Sequence, residues 1–78
     1  MTLTFPQAVD RLNRFSRLKW GPTAPQYSYE YRGAPRTYFV HRINQNVSPY
    51  IPAAELWTRG PREHCLAKVM SAISAACK

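Results

Sequence analysis

Between Tyr27 and Ile43 the chain alternates, turns and alternates again, and this stretch limits the possible folds more than any other. Tyr27, Tyr29 and Tyr31 are interleaved with Ser28, Glu30 and Arg32, the two-residue period of a strand. Gly33-Ala34-Pro35-Arg36 carries turn chemistry, because glycine accepts a positive φ and proline presets its own. Thr37 to Ile43 is again β-branched and aromatic, as a returning strand requires. Closing the turn symmetrically sets Arg32 opposite Thr37, Tyr31 opposite Tyr38, Tyr29 opposite Val40 and Tyr27 opposite Arg42. One face of the hairpin then carries Tyr27, Tyr29, Tyr31, Tyr38 and Val40, ending at Arg42. The other carries Ser28, Glu30, Arg32, Thr37, Phe39, His41 and Ile43. A slip of one residue exchanges the two faces, so the register is a committed expectation.

Helical patterns flank the hairpin. Thr4 and Gln7 form a capping box, with Pro6 tolerated in the first turn. Phe5, Ala8, Val9, Leu12, Phe15 and Leu18 then recur at the spacing of one helix face, and Gly21-Pro22 stops the run. The first helix is expected over about Phe5 to Lys19, with Asp10 and Arg14 as an i,i+4 pair. Gly21 to Gln26 is a connector. After the hairpin, Asn44-Gln45-Asn46 reads as a turn, and Val47 to Ile51 as a short strand that Pro49 confines to an edge. Pro52 to Arg59 reads as a short helix with proline at its first position, and Gly60-Pro61 breaks it. The last helix is expected from about Pro61 to Ala76, with Leu66, Val69, Met70, Ile73 and Cys77 as its apolar stripe. Ala67, Ser71 and Ala75 make a row of small residues. It reads first as the place where this helix lies against the first helix or the sheet, and second as a homodimer seam. The whole reading is one α+β domain over residues 1–78: helix, a two- or three-stranded antiparallel sheet, helix. Both helices cover one face, because so few strands are marginal alone.

Charge says more about partners than about fold. The 78 residues hold eight arginines and three lysines against four acids, a net charge of +7. Such a surplus attracts phosphates or acidic protein surfaces. Arg11, Arg14 and Arg17 lie three apart on the first helix, Arg32, Arg36 and Arg42 mark the hairpin, and Arg59 and Arg62 flank Gly60. A guanidinium pairs two phosphate oxygens at once through its planar fork. The tyrosine face has three readings: a platform for stacking bases, a set of protein-interface anchors, or the core beneath the helices. The core reading is preferred, because the helices' apolar stripes need a cover. Phe39, on the other face, is then the better contact aromatic. The expected binding set is Arg11, Arg14, Arg17, Arg32, Arg36, Phe39 and Arg42.

Catalysis is not expected. The four acids, Asp10, Glu30, Glu55 and Glu63, fall on separate elements, and the three glycines are punctuation and not a phosphate loop. His41, His64, Cys65 and Cys77 lack the spacing of a zinc site, so no metal and no cofactor is expected. Cys65 and Cys77 stand twelve residues apart on one expected helix. That is about 18 Å, too far for a disulfide, so both read as reduced thiols. The N-terminus lacks the regions of a signal peptide, and no apolar run approaches the ~20 residues of a membrane span. The chain reads as a cytoplasmic protein of bacterial or phage type, complete from Met1. A further reading takes Pro52 to Ile73 as helix–turn–helix, with His64, Lys68 and Ser71 outward.

In size, absence of a catalytic signature and surface character, the 78 residues resemble small phage-encoded inhibitors of bacterial defence, the anti-CRISPR proteins. The resemblance implies docking on a CRISPR surveillance complex and blockage of target DNA. The charge of +7 departs from the many members that are acidic DNA mimics. The leading expectation is therefore a non-enzymatic protein that docks by arginines and aromatics on a nucleoprotein complex or an acidic protein surface. The alternatives are a direct DNA- or RNA-binding regulator and a homodimeric interaction protein.

Overall fold

In a computed structural model the chain runs α1 (Phe5–Trp20), a 3₁₀ turn (Gly21–Thr23), β1 (Gln26–Arg32), β2 (Thr37–Asn44), β3 (Ala53–Gly60) and α2 (Arg62–Ala76). Residues 3–44 and 53–77 are described. The three strands form one antiparallel sheet in the order β1-β2-β3, with both helices packed on the same side. The architecture is α+β, as the alternation and the flanking helical patterns require.

The ends of α1 follow from its sequence. The Thr4 hydroxyl accepts from the Gln7 amide at 3.2 Å, and the Gln7 side-chain carbonyl accepts from the Thr4 amide at 3.0 Å. These reciprocal bonds satisfy two donors that a helix start leaves free. At the other end Gly21 adopts φ +85°, and its amide donates back to the Arg17 carbonyl.

The hairpin pairs as the alternation dictates: Arg32 with Thr37, Tyr31 with Tyr38, Tyr29 with Val40 and Tyr27 with Arg42. Gly33 takes φ +90° in the turn. The tyrosine face is the core face at Tyr27, Tyr38 and Val40, while Tyr29 and Tyr31 on the same face are exposed. Val40 is 0% exposed and sits with Phe5, Ala8, Val9 and Leu12 of α1 and Cys65, Val69 and Ile73 of α2. Tyr27 and Tyr38 are half-buried against that cluster, and the Phe5 ring meets Tyr38 at 4.9 Å and Tyr29 at 5.8 Å, both edge-on.

Asn13 ties α1 to the sheet. Its amide nitrogen donates to the Tyr27 carbonyl at 2.9 Å, and its amide oxygen accepts from the Tyr27 N–H at 2.7 Å. The side chain thus does for the outer edge of β1 what a neighbouring strand would do.

Four expectations are corrected. The segment ahead of Gly60 is a strand, not a short helix: Ala53–Gly60 pairs along β2 from Asn44↔Ala53 to Tyr38↔Gly60. Ala-Ala-Glu-Leu favours a helix locally, but a helix this short is marginal, and the open edge of β2 supplies a full ladder instead. The helix–turn–helix reading falls with it. A bulge between Val40 and His41 then sets Thr58 opposite Val40 and Leu56 opposite His41. Thr58 is buried, and Trp57 packs against the core with its ring 4.9 Å from that of Tyr27.

Leu18 is the second correction. It is 72% exposed, while Ser16 is buried, because the sheet-facing arc of α1 runs through Phe5, Val9, Leu12 and Ser16. Third, α2 buries Cys65, Val69, Ile73 and Ala76 and leaves Met70 and Cys77 exposed. That choice of face turns Ala67, Ser71 and Ala75 to solvent instead of against α1 or the sheet. Fourth, the ion pairs among the described residues are Arg32–Glu30 and Arg42–Glu55, and Asp10–Arg14 is not among them. Both Asp10 and Arg14 are exposed, where such a pair gains little. The strand expected over residues 47–51 and the turn at residues 45 and 46 lie outside the described residues.

Candidate functional site

The register brings three chain segments to one end of the molecule. Tyr38 pairs with Tyr31 on one side and with Gly60 on the other, so the β1–β2 turn and the β3–α2 junction are neighbours. Phe5 packs on Tyr38, and Arg62 donates to the Leu3 carbonyl at 3.4 Å, which adds the start of α1. Arg32, Arg36, Arg59 and Arg62 therefore share this end with the N-termini of both helices, which carry partial positive charge. Glu30 and Glu63 are the acids there, and Glu30 stands 3.9 Å from Arg32.

The arginines at the hairpin turn are laid on rings. The Arg36 guanidinium lies 4.8 Å from the centre of the Tyr31 ring, on the helix side of the sheet. Arg32 lies 4.9 Å from the centre of the Phe39 ring, on the open side. Tyr31 continues into a row, with Tyr38 at 5.4 Å and Tyr29 stacked at 6.3 Å. A guanidinium over a ring face gains roughly 0.5–1 kcal/mol at an exposed site. It also biases the side chain toward its place over the ring. Phe39, half-buried in the middle of the open sheet face, is thus covered by Arg32 and is not a bare ring.

The other expected residues are divided between two places. Arg11, Arg14 and Arg17 are all exposed on the outer side of α1. Arg14 and Arg17 line a cleft of about 240 Å³ with Gly21, Pro22, Pro25 and Gln26. Arg42 is already occupied. It stands opposite Glu55 across β2 and β3, pairs with that carboxylate through Nη2, and donates to it from Nε at 3.1 Å. The hydrogen bond to Glu55 holds the Arg42 pKa above its ordinary value. Tyr27 leans on the same guanidinium. Burial pushes its hydroxyl pKa up, with Arg42 opposing. In the sequence Arg59 and Arg62 stand out only as flanks of Gly60. Their place beside the hairpin turn follows from β3, which local propensity hides.

Two lysines also serve the scaffold. Lys19 donates to the Ala75 carbonyl at 3.2 Å, at the negative end of α2, and Lys68 donates to the Trp57 carbonyl at 2.9 Å with its ammonium 4.8 Å from the Trp57 ring centre. Cys65 is buried, and desolvation raises its thiol pKa, so it is a packing residue and not an activated nucleophile. Among the described residues no three His, Cys, Asp or Glu side chains gather as a metal site, and no helix is long and apolar enough to cross a membrane. Compared with protein-family models, curated proteins and solved structures, the chain matches none.

Proposed function

We propose that this chain is a non-enzymatic nucleic-acid-binding module that grips the backbone of double-stranded RNA, with the β1–β2 turn as its leading contact. The observation that carries the reading is the pair of ring-laid guanidiniums, Arg36 on Tyr31 and Arg32 on Phe39, on opposite faces of one thin turn. Their rings are covered by cations, so they offer charge outward rather than a bare surface for unpaired bases. That favours phosphate contact over the stacking by which single strands are held. The turn itself is Gly33-Ala34-Pro35-Arg36, which has carbonyls to offer and Arg36 as its one side chain with hydrogen-bond donors.

The shape calls for a wide groove, and the turn's carbonyls, as acceptors for 2′-hydroxyls, favour RNA over DNA. Two strands lie about 4.8 Å apart, and an arginine on each side widens the ribbon further. The minor groove of B-form DNA is about 6 Å wide, too narrow for it, whereas its major groove, about 12 Å wide, admits such a ribbon. The minor groove of an A-form helix is wide and shallow, and its 2′-hydroxyls can donate to backbone carbonyls. Arg59, Arg62 and the two helix N-termini beside the turn extend the positive field along the same end.

Fluorescence anisotropy with three probes tests this: an RNA duplex, a DNA duplex of the same sequence, and the single RNA strand. The RNA duplex is expected to bind tightest, with an affinity that falls by about one log unit per log unit of salt for each phosphate engaged. Tightest binding by the single strand overturns the reading in favour of base stacking. Indifference to all three at ~50 mM salt also overturns it, and leaves an acidic protein surface or a nucleoprotein assembly, as an inhibitor of CRISPR defence would need.

A further inference from the structure

Among the described residues, the most exposed large apolar side chain does not lie near the hairpin turn. Leu18, 72% exposed, stands on the outer side of α1 where three hollows meet. One, of about 540 Å³, runs along α1 between Leu3, Phe15 and Leu18 and is edged by Arg11 and Arg14. A second, of about 360 Å³, joins Leu18 to Arg14, Arg17 and Pro22. A third, of about 330 Å³, joins Phe15 and Leu18 to Ala76 and Cys77 at the end of α2. A single exposed leucine is ordinary on a protein surface. This one adjoins two half-buried apolar residues, Leu3 and Phe15, and is ringed by three arginines, with Asp10 as the one carboxylate in the lining.

We propose that this groove on α1 docks an acidic amphipathic helix of a partner protein, its apolar side chains seated on Leu3, Phe15 and Leu18 and its carboxylates meeting Arg11, Arg14 and Arg17. The apolar floor separates this surface from a phosphate site, because a leucine gains nothing against a nucleic-acid backbone. Apolar contact gains free energy in proportion to the area it removes from water. The ring of cations sets the sign of the partner. A second copy of this chain is disfavoured as occupant: each copy carries +7, and a twofold contact would set the same three arginines against one another. The groove runs from Leu3, just ahead of α1, to Leu18, and from Phe5 to Leu18 the helix spans roughly 20 Å at 1.5 Å per residue. A partner helix of about four turns with apolar residues at i, i+4, i+7 and i+11 fills that length. The proposal goes beyond the RNA reading and uses a different surface, so either can fail alone.

The test uses the full chain and two synthetic peptides of about 18 residues. One presents four leucines on a single stripe with glutamates beside them. The other has the same composition, scrambled so that the leucines point all round. Isotope-edited NMR locates the contact, and titration gives the affinity. The patterned peptide is expected to bind about ten-fold tighter than the scrambled one, with shifts centred on Phe15 and Leu18. Leu18→Glu is expected to remove that preference, and so is Arg11→Glu combined with Arg14→Glu and Arg17→Glu; thermal melting checks that both variants fold. Equal binding of the two peptides, shifts centred on the hairpin turn, or a wild-type dimer that Leu18→Glu dissolves would each overturn the proposal.

Discussion

The molecule displays two cationic surfaces built from the same residue type on different supports. At the β1–β2 turn, Arg32 and Arg36 lie over the rings of Phe39 and Tyr31, which are themselves placed by the strand register. On α1, Arg11, Arg14 and Arg17 stand around an exposed leucine, with no ring beneath them among the described contacts. A guanidinium biased toward a ring by about 0.5–1 kcal/mol has lost part of its rotamer freedom before any ligand arrives, so less is lost on binding. A free guanidinium beside an apolar floor contributes field and specificity, while the floor contributes most of the contact energy. What lies under an arginine therefore decides which partner it suits: a rigid fork suits a phosphate in a fixed place, and a mobile rim suits a carboxylate beside an apolar anchor.

The sharpest way to break this contrast is to delete each surface separately and measure RNA. Arg32→Ala with Arg36→Ala is expected to weaken binding to an RNA duplex by about 10- to 100-fold, as the loss of two charge-assisted contacts predicts. The salt slope should shrink by about two units. The melting temperature should hold, because both side chains are exposed. Replacing Arg11, Arg14 and Arg17 by Ala removes more charge but no ring-held fork, and about three-fold is expected from the weaker field alone. If the α1 triple variant loses as much as the hairpin double, ring support is irrelevant and total charge governs.

The contrast was only partly legible in the residues. The hairpin register was, because period-two tyrosines and a Gly-Ala-Pro turn leave few alternatives. The limits of α1 were, because Thr4, Gln7 and Gly21 act within one helical turn of where they stand. β3 was not, since Ala-Ala-Glu-Leu carries a helical preference and the ladder that overrides it belongs to β2. That miss spread. Without β3, Glu55 had no place opposite Arg42, so Arg42 counted as a free cation, and Arg59 and Arg62 had no route to the hairpin end. Leu18 was misplaced for another reason. A stripe drawn at helical spacing does not say where the covered arc is centred, and here α1 turns Ser16 inward and Leu18 out.

A finer test removes a ring and keeps its arginine. Tyr31→Leu leaves Arg36 in the turn but takes away the surface it rests on. The lost interaction is worth about 0.5–1 kcal/mol at an exposed site, so a two- to five-fold weaker RNA affinity is expected. Tyr31 is 42% exposed but its ring meets both Tyr29 and Tyr38, so a melting temperature lower by a few degrees is expected beside the RNA effect. A full ten-fold loss would mean that Tyr31 itself touches the RNA. No loss would mean that Arg36 needs no support, and the distinction between the two surfaces would go.

The smallest effect is expected at the arginine that belongs to neither surface. Arg42 is committed to Glu55 and shared with Tyr27, so it serves the sheet. Glu55→Gln keeps the shape and removes the charge. Because the pair is partly exposed, only about 0.5–1 kcal/mol of stability should go, visible as a melting temperature lower by a few degrees. RNA affinity should stay within about two-fold, and the slight change should be a gain, since one negative charge is lost. A gain of ten-fold or more would show that Arg42, once released, joins the phosphate contacts, and that Glu55 holds in reserve a cation the hairpin surface can use.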